Sequence, residues 1–157
     1  MPIFPDYDSF AAAYEKGEAQ IVSTRLVADL ETPVSAMLKL TRSAKYSFLL
    51  ESVEGGAVRG RYSIIGMNPD MIWKVAGSEA SINRKALHNP DGPFEPARLA
   101  PLESLRALLA ESRITLGSDA PPMAAGVFGY IGYDMVRLME DLPEPNPDTL
   151  GLPDGMM

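Results

Sequence analysis

Glu51, Ser52, Arg59 and Arg61 are the side chains of this sequence best placed to do chemistry. They fall in the stretch 49–66, LLESVEGGAVRGRYSIIG, where two leucines lead into a carboxylate and a hydroxyl at the end of a predicted buried strand. Polar groups there cost free energy unless they are paired, and Arg59 and Arg61, across the loop, are candidate partners. Two readings stay open. In an ordinary hairpin, Glu51 and Arg61 form a cross-strand salt bridge. In a binding site, one of Glu51 and Ser52 faces a ligand and the other faces protein, because successive strand residues point to opposite faces. The loop 55–60, GGAVRG, is glycine-rich and basic. It is either an anion site or a plain hairpin tip.

A second constellation follows Gly126, Gly129 and Gly132. Glycine weakens a strand, so three of them mark a bulge or a close backbone approach. Tyr130, Tyr133, Asp134 and Arg137 stand at the strand-to-helix junction, where their polar tips either line a pocket or cap the helix. His88, the one histidine, lies in a proline-rich loop and reads as solvated. Cysteine is absent, which removes disulfides, thiol catalysis and cysteine-based zinc sites. No G-x-S-x-G turn, Walker loop or G-x-G-x-x-G is present.

The elements that must position these residues can be read from spacing. Residues 6–16 form a helix with Tyr7, Phe10 and Tyr14 on one face, stopped by Gly17. Residues 19–30 are extended. Thr32-Pro33 starts a second helix, with Thr as N-cap and Pro at the first helical position. Val34, Met37, Leu38 and Thr41 make its buried stripe. Residues 46–53 read as a strand buried on both faces. Residues 61–67, 71–75 and 80–83 are further strands, antiparallel by their close spacing and the turns at Asn68-Pro69 and Gly77-Ser78. Residues 85–101 are a loop. Residues 101–113 are a helix with Leu102, Leu105, Leu108 and Leu109 as its apolar face. Residues 124–133 are a strand and 134–141 a short helix. The fold class is α+β: mainly antiparallel sheet with flanking helices.

The 157 residues fit one domain, or one domain with a tail. Hydrophobic residues at 46% against 22% charged exclude a wholly disordered chain. The net charge of −7 argues against non-specific nucleic-acid binding. Five of the excess acids (Glu140, Asp141, Glu144, Asp148 and Asp154) lie after residue 137 with no Lys or Arg among them. Residues 1–142 are therefore the domain, and 143–157 an acidic, proline-rich, extended tail. The start MPIFPDYDSF has neither the basic nor the apolar region of a signal peptide. The apolar run 123–133 is too short to span a membrane. A cysteine-free chain fits a reducing cytoplasm. The end, LPDGMM, carries a turn signal at Asp154-Gly155 and then two methionines. It reads either as a disordered end or as a strand cut off.

Three stretches together resemble the N-terminal region of anthranilate synthase component I: ADLETPVSAMLKL (28–40), FLLESVEGGAVRGRYSIIG (48–66) and GVFGYIGYDMVRLMEDLP (126–143). The segment LLES followed by RYS is the most specific. GYxGYD is shared with aminodeoxychorismate synthase component I, the alternative within the class. The resemblance implies a share in a two-sheet α/β/β/α sandwich. It also implies an enzyme that turns chorismate and ammonia into anthranilate and pyruvate, with tryptophan as feedback inhibitor and a glutamine amidotransferase subunit as ammonia source. Chorismate and Mg²⁺ belong to a C-terminal region that nothing here matches, so no catalytic residue is expected in this chain, and the fragment is expected to be inactive alone. The tryptophan site implied by the family takes Leu50, Glu51 and Ser52 of LLES and a basic residue past the loop, Arg61 first and Arg59 second. Ser52 and Glu51 would accept from the ligand ammonium, Arg61 would donate to its carboxylate, and Leu50 would wall the indole. From a different class, a free-standing binding module remains the competing reading. Neither nucleic acid nor membrane is an expected partner.

Overall fold

Thr32-Pro33 shows how local chemistry sets an element. The Thr32 hydroxyl accepts from the Ser35 amide at 3.1 Å, and the Ser35 hydroxyl accepts from the Thr32 amide at 2.9 Å. This reciprocal cap satisfies two amides that the first helical turn leaves orphaned, and Pro33 has none to satisfy. The helix runs Pro33–Leu40. Asp6 caps the first helix, Tyr7–Glu15, by accepting from the Ser9 amide at 2.9 Å. Gly17 follows at φ +70, a left-handed turn that a side chain would strain.

The structure is a computed structural model describing residues 1–51, 62–117, 120–121, 123–143 and 147–157. In chain order its elements are β1 (Ile3–Phe4), α1 (Tyr7–Glu15), β2 (Ser23–Thr24), α2 (Pro33–Leu40), β3 (Phe48–Leu50), β4 (Ile64–Gly66), β5 (Ile72–Ala76), β6 (Glu79–Asn83), β7 (Glu95–Pro96), α3 (Pro101–Glu111), β8 (Tyr130–Ile131), a 3-10 helix (Tyr133–Leu138) and β9 (Gly155–Met156). Every strand pairing is antiparallel: β1 with β2, β3 with β4, and a five-stranded sheet in the order β7-β6-β5-β9-β8. The α+β expectation holds.

The core lies on one face of the five-stranded sheet. Trp73, Val75 and Ala80 of β5 and β6 meet Leu108 of α3 and Met135 of the 3-10 helix. Trp73 is fully buried, and its indole N–H donates to the Ser104 hydroxyl at 2.9 Å. Ser104 in turn donates to the Pro101 carbonyl at 2.8 Å. The predicted leucine face of α3 holds for Leu102, Leu105 and Leu108, which lie in or against the core, and is corrected at Leu109. Leu108 is buried, Leu102 and Leu105 are half-buried, Leu109 is exposed, and Ser104 takes the place against the sheet. Indole needs a hydrogen-bond acceptor when buried, and a serine supplies one.

Several other expectations shift. β3 is three residues long and, among the described residues, pairs only with β4, and Leu50 is exposed rather than buried on both faces. No residue of α1 or α2 is buried, and Tyr7, Tyr14, Val34 and Leu38 lie open. The loop 85–101 contains β7, which adds an edge to β6. Of the predicted strand 124–133 only Tyr130–Ile131 is paired. The segment after residue 142 is not irregular to its end: β9 lies between β5 and β8. Asp154 fixes its approach, its carboxylate accepting from the Gly77 amide at 2.6 Å.

Arg84 and Glu111 tie the far end of α3 to the turn after β6 by two parallel hydrogen bonds, 2.6 and 3.0 Å. The Arg84 hydrogen bonds hold the Glu111 carboxyl below its ordinary value of 4.5, against partial desolvation. A depressed folded value means that the pair stabilises above pH 4.5 and that this stabilisation is lost as pH falls through the lower folded value. Thermal unfolding of wild type and Glu111→Gln should therefore differ near neutrality and converge in acid. A gap unchanged from about pH 7 to about pH 3 would show that this pair carries none of the pH dependence.

Candidate functional site

β3 and β4 build the part of the candidate site that lies among the described residues. Their register is Phe48↔Gly66, Leu49↔Ile65 and Leu50↔Ile64. A methyl at Gly66 would overlap the Phe48 ring, which would have to swing aside. That ring also stacks on Phe128 at 5.0 Å between centroids, which anchors the hairpin beside β8. α2 packs against both strands. At the end of β3, Leu50 is 46% exposed and Glu51 is exposed beside it. Alternation puts their side chains on opposite faces. Ser52, Arg59 and Arg61 lie outside the described residues, as does the 55–60 loop. The structure thus places Leu50 and Glu51 side by side at a strand end, and the Glu51–Arg61 pairing falls outside what it describes.

The second constellation is structural. The Tyr130 hydroxyl donates to the Pro153 carbonyl at 2.8 Å. Arg137 pairs with Asp134 at 3.0 Å and donates to the Pro143 carbonyl at 2.6 Å. Tyr133 points to solvent. Tyr130 thus ties β8 to the tail and Arg137 ties the 3-10 helix to the Pro143 carbonyl, and none of the four makes the N-cap bond of that helix. Gly129 and Gly132 are sites of close backbone approach, as expected. A methyl on Gly129 would coincide with the Met156 carbonyl, and one on Gly132 would sit 2.6 Å from the Asp154 carbonyl oxygen. Gly126 meets only the Phe128 ring at 3.6 Å, an ordinary contact.

His88 is exposed in the turn after β6, and its side chain makes no hydrogen bond among the described residues, in line with the solvated reading. A hollow of about 200 Å³ lies beside the Lys45–Asp91 ion pair. A groove of about 460 Å³ runs between β7 and α3, with Arg84 and Glu111 along it. Neither takes in Leu50 or Glu51. Among the described residues, no three His, Asp or Glu side chains stand together as a metal site. No helix among them is long and apolar enough to cross a membrane.

Sequence comparison decides the family. The chain is 54% identical over 151 residues to anthranilate synthase component 1 of Cereibacter sphaeroides, covering 96% of this chain and 30% of that protein. The chain belongs to the anthranilate synthase component 1 family. It is 39% identical over 155 residues to the Synechocystis protein of the same name, covering 98% of this chain and 30% of that one. Against the Thermus thermophilus protein of that name it is 41% identical over 130 residues, 82% of this chain and 25% of that one. No family model matches. The chain spans about 30% of the length of the Cereibacter sphaeroides and Synechocystis proteins, and corresponds to the N-terminal region of such relatives. Of the stretches that carry the resemblance, Leu49 and Leu50 of LLES lie in β3, and GYxGYD runs through β8 into the start of the 3-10 helix.

Proposed function

We propose that this chain is the tryptophan-sensing N-terminal part of an anthranilate synthase component 1. The whole enzyme makes anthranilate and pyruvate from chorismate, with ammonia from a glutamine amidotransferase subunit. The observation that carries the reading is the 54% identity across 96% of the chain to a protein of that name. Chorismate and Mg²⁺ are held by the C-terminal region of the longer enzyme. This chain contributes regulation, as a protein of the reducing cytoplasm.

Tryptophan needs oxygen acceptors for its ammonium, donors for its carboxylate and an apolar wall for its indole. Ser52 and Glu51 serve the first, Arg61 (with Arg59 behind it) the second, and Leu50 the third. The exposure of Leu50 and Glu51 at the end of β3 supports this assignment, since a site completed by another region must begin as open surface. Inhibition follows by linkage: tryptophan favours an arrangement of the two regions that binds chorismate poorly.

The test uses the full-length enzyme. Ser52→Ala should weaken tryptophan inhibition by ~1–3 kcal/mol, the loss of one hydrogen bond to a charged ligand group. That is about a 5- to 150-fold rise in the inhibition constant. Chorismate turnover without tryptophan should stay near wild type. Inhibition unchanged from wild type would remove Ser52 from the site.

A further inference from the structure

The β3–β4 hairpin stands apart from the five-stranded sheet. Its two strands pair with each other, and among the described residues no pairing joins either to a strand of that sheet. Both strands leave the ladder at one level. Continued by two residues, the register Phe48↔Gly66 sets Tyr46 opposite Asn68. Each of these has φ +52, in the left-handed region that side chains adopt at a cost and that turns the backbone out of a strand. The hairpin is thus a short ribbon with a base of its own, and Leu50 and Glu51 lie at the end of β3 far from that base.

A ring contact reaches across from this ribbon. Phe48 stacks on Phe128 with centroids 5.0 Å apart and planes 27° from parallel. Gly66, opposite Phe48, puts no side chain in the way of that ring. Phe128 stands two residues before β8, which pairs with β9 and runs on through Gly132 into the 3-10 helix. Met135 of that helix belongs to the Trp73 core. Alternation puts Leu50 on the same face of β3 as Phe48, and Ile64 stands opposite Leu50. One apolar face therefore runs from the exposed end of the hairpin to the ring stack.

We infer that the Phe48–Phe128 stack is a positioning contact that carries tryptophan occupancy at the end of β3 into the five-stranded sheet, with the hairpin turning about the Tyr46–Asn68 level. The inference rests on the tryptophan site proposed above and names how that site is felt elsewhere. An indole seated on Leu50 displaces the free end of the ribbon. The three paired positions of β3 and β4 hold the two strands together, so the displacement reaches Phe48. Packed rings slide or tilt but do not compress, so Phe128 moves with Phe48 and takes the entry to β8 with it. Tryptophan then favours one setting of β8 against β9, and its effect on chorismate is limited by how differently it binds the two settings.

Full-length enzyme carrying Phe48→Leu, Phe128→Leu or both tests it. Two quantities are read for each: the dissociation constant for tryptophan without chorismate, by calorimetry, and the factor by which tryptophan, at a fixed multiple of that constant, raises the chorismate KM. Each single variant should bind tryptophan within about threefold of wild type, while the factor falls to under about half its wild-type value. The double variant should lose no more than either single, because all three break one contact. Phe128→Tyr keeps the ring and should keep the factor. Phe128→Met repeats the break should leucine prevent folding. A factor unchanged in the variants that break the stack, losses that add in the double variant, the same loss in Phe128→Tyr, or a tryptophan affinity that falls as steeply as the factor would each overturn the stack as carrier. Wild-type enzyme that binds no tryptophan would overturn the site itself, and the inference with it.

Discussion

Trp73→Ala should lower the unfolding free energy by ~3–5 kcal/mol, the cost of emptying a fully buried tryptophan site. The indole is the largest buried side chain and joins three elements: β5, α3 and, through its backbone, β9. Against a typical total of about 5–15 kcal/mol, that loss leaves the sheet barely folded. Trp73→Phe separates the contributions. It keeps most of the volume and gives up the bond to Ser104, worth about 1 kcal/mol. Because the chain has a single Trp, urea unfolding is best followed by far-ultraviolet circular dichroism. Equal midpoints for wild type and Trp73→Ala would mean that Trp73 is not the centre of the core.

Gly129→Ala is the second large effect. The new methyl would coincide with the Met156 carbonyl, which is backbone and cannot swing away. β8 must separate from β9, at a cost above the ~1–3 kcal/mol usual for overpacking. Gly126→Ala, three residues earlier, is the control. Its methyl finds only ordinary contact with a ring, so its midpoint should stay within about 0.5 kcal/mol of wild type. If both variants unfold at the same urea concentration, the close approach of β8 to β9 is not what requires glycine.

The features legible in the sequence were local. Thr32-Pro33, Asp6 with Gly17, and the spacing of residues 101–113 announce helices because caps and periodicity act within a few residues. The β5–β6 hairpin is legible for the same reason, its turn closing at Gly77, φ +55. Less legible was everything decided by distant partners. Gly155 and Met156 have no periodicity to betray a central strand, and their partners stand some 25 and 80 residues away in sequence. Ser104 looks like a surface residue until an indole N–H demands an acceptor. α1 and α2 have apolar faces in the sequence but not one buried residue in the structure, since a pattern tells which face is apolar and not how fully it is covered. Of the candidate site, Leu50 and Glu51 stand at the strand end that the pattern implied, and the roles of Ser52 and Arg61 rest on the family.

The strand order β7-β6-β5-β9-β8 also bears on how the protein is made. On a ribosome, β5, β6, β7 and α3 emerge together and can close a first layer around Trp73 early. β8 emerges next and finds no neighbour. Its place is beside β9, which is synthesised some 25 residues later, so the nascent chain carries an unpaired, glycine-rich strand in the interval. Pairing between distant segments is slow, and exposed strand edges invite association with other chains. A pause in translation soon after the tail has cleared the exit tunnel would give β9 time to enter between its neighbours before more polypeptide competes for them.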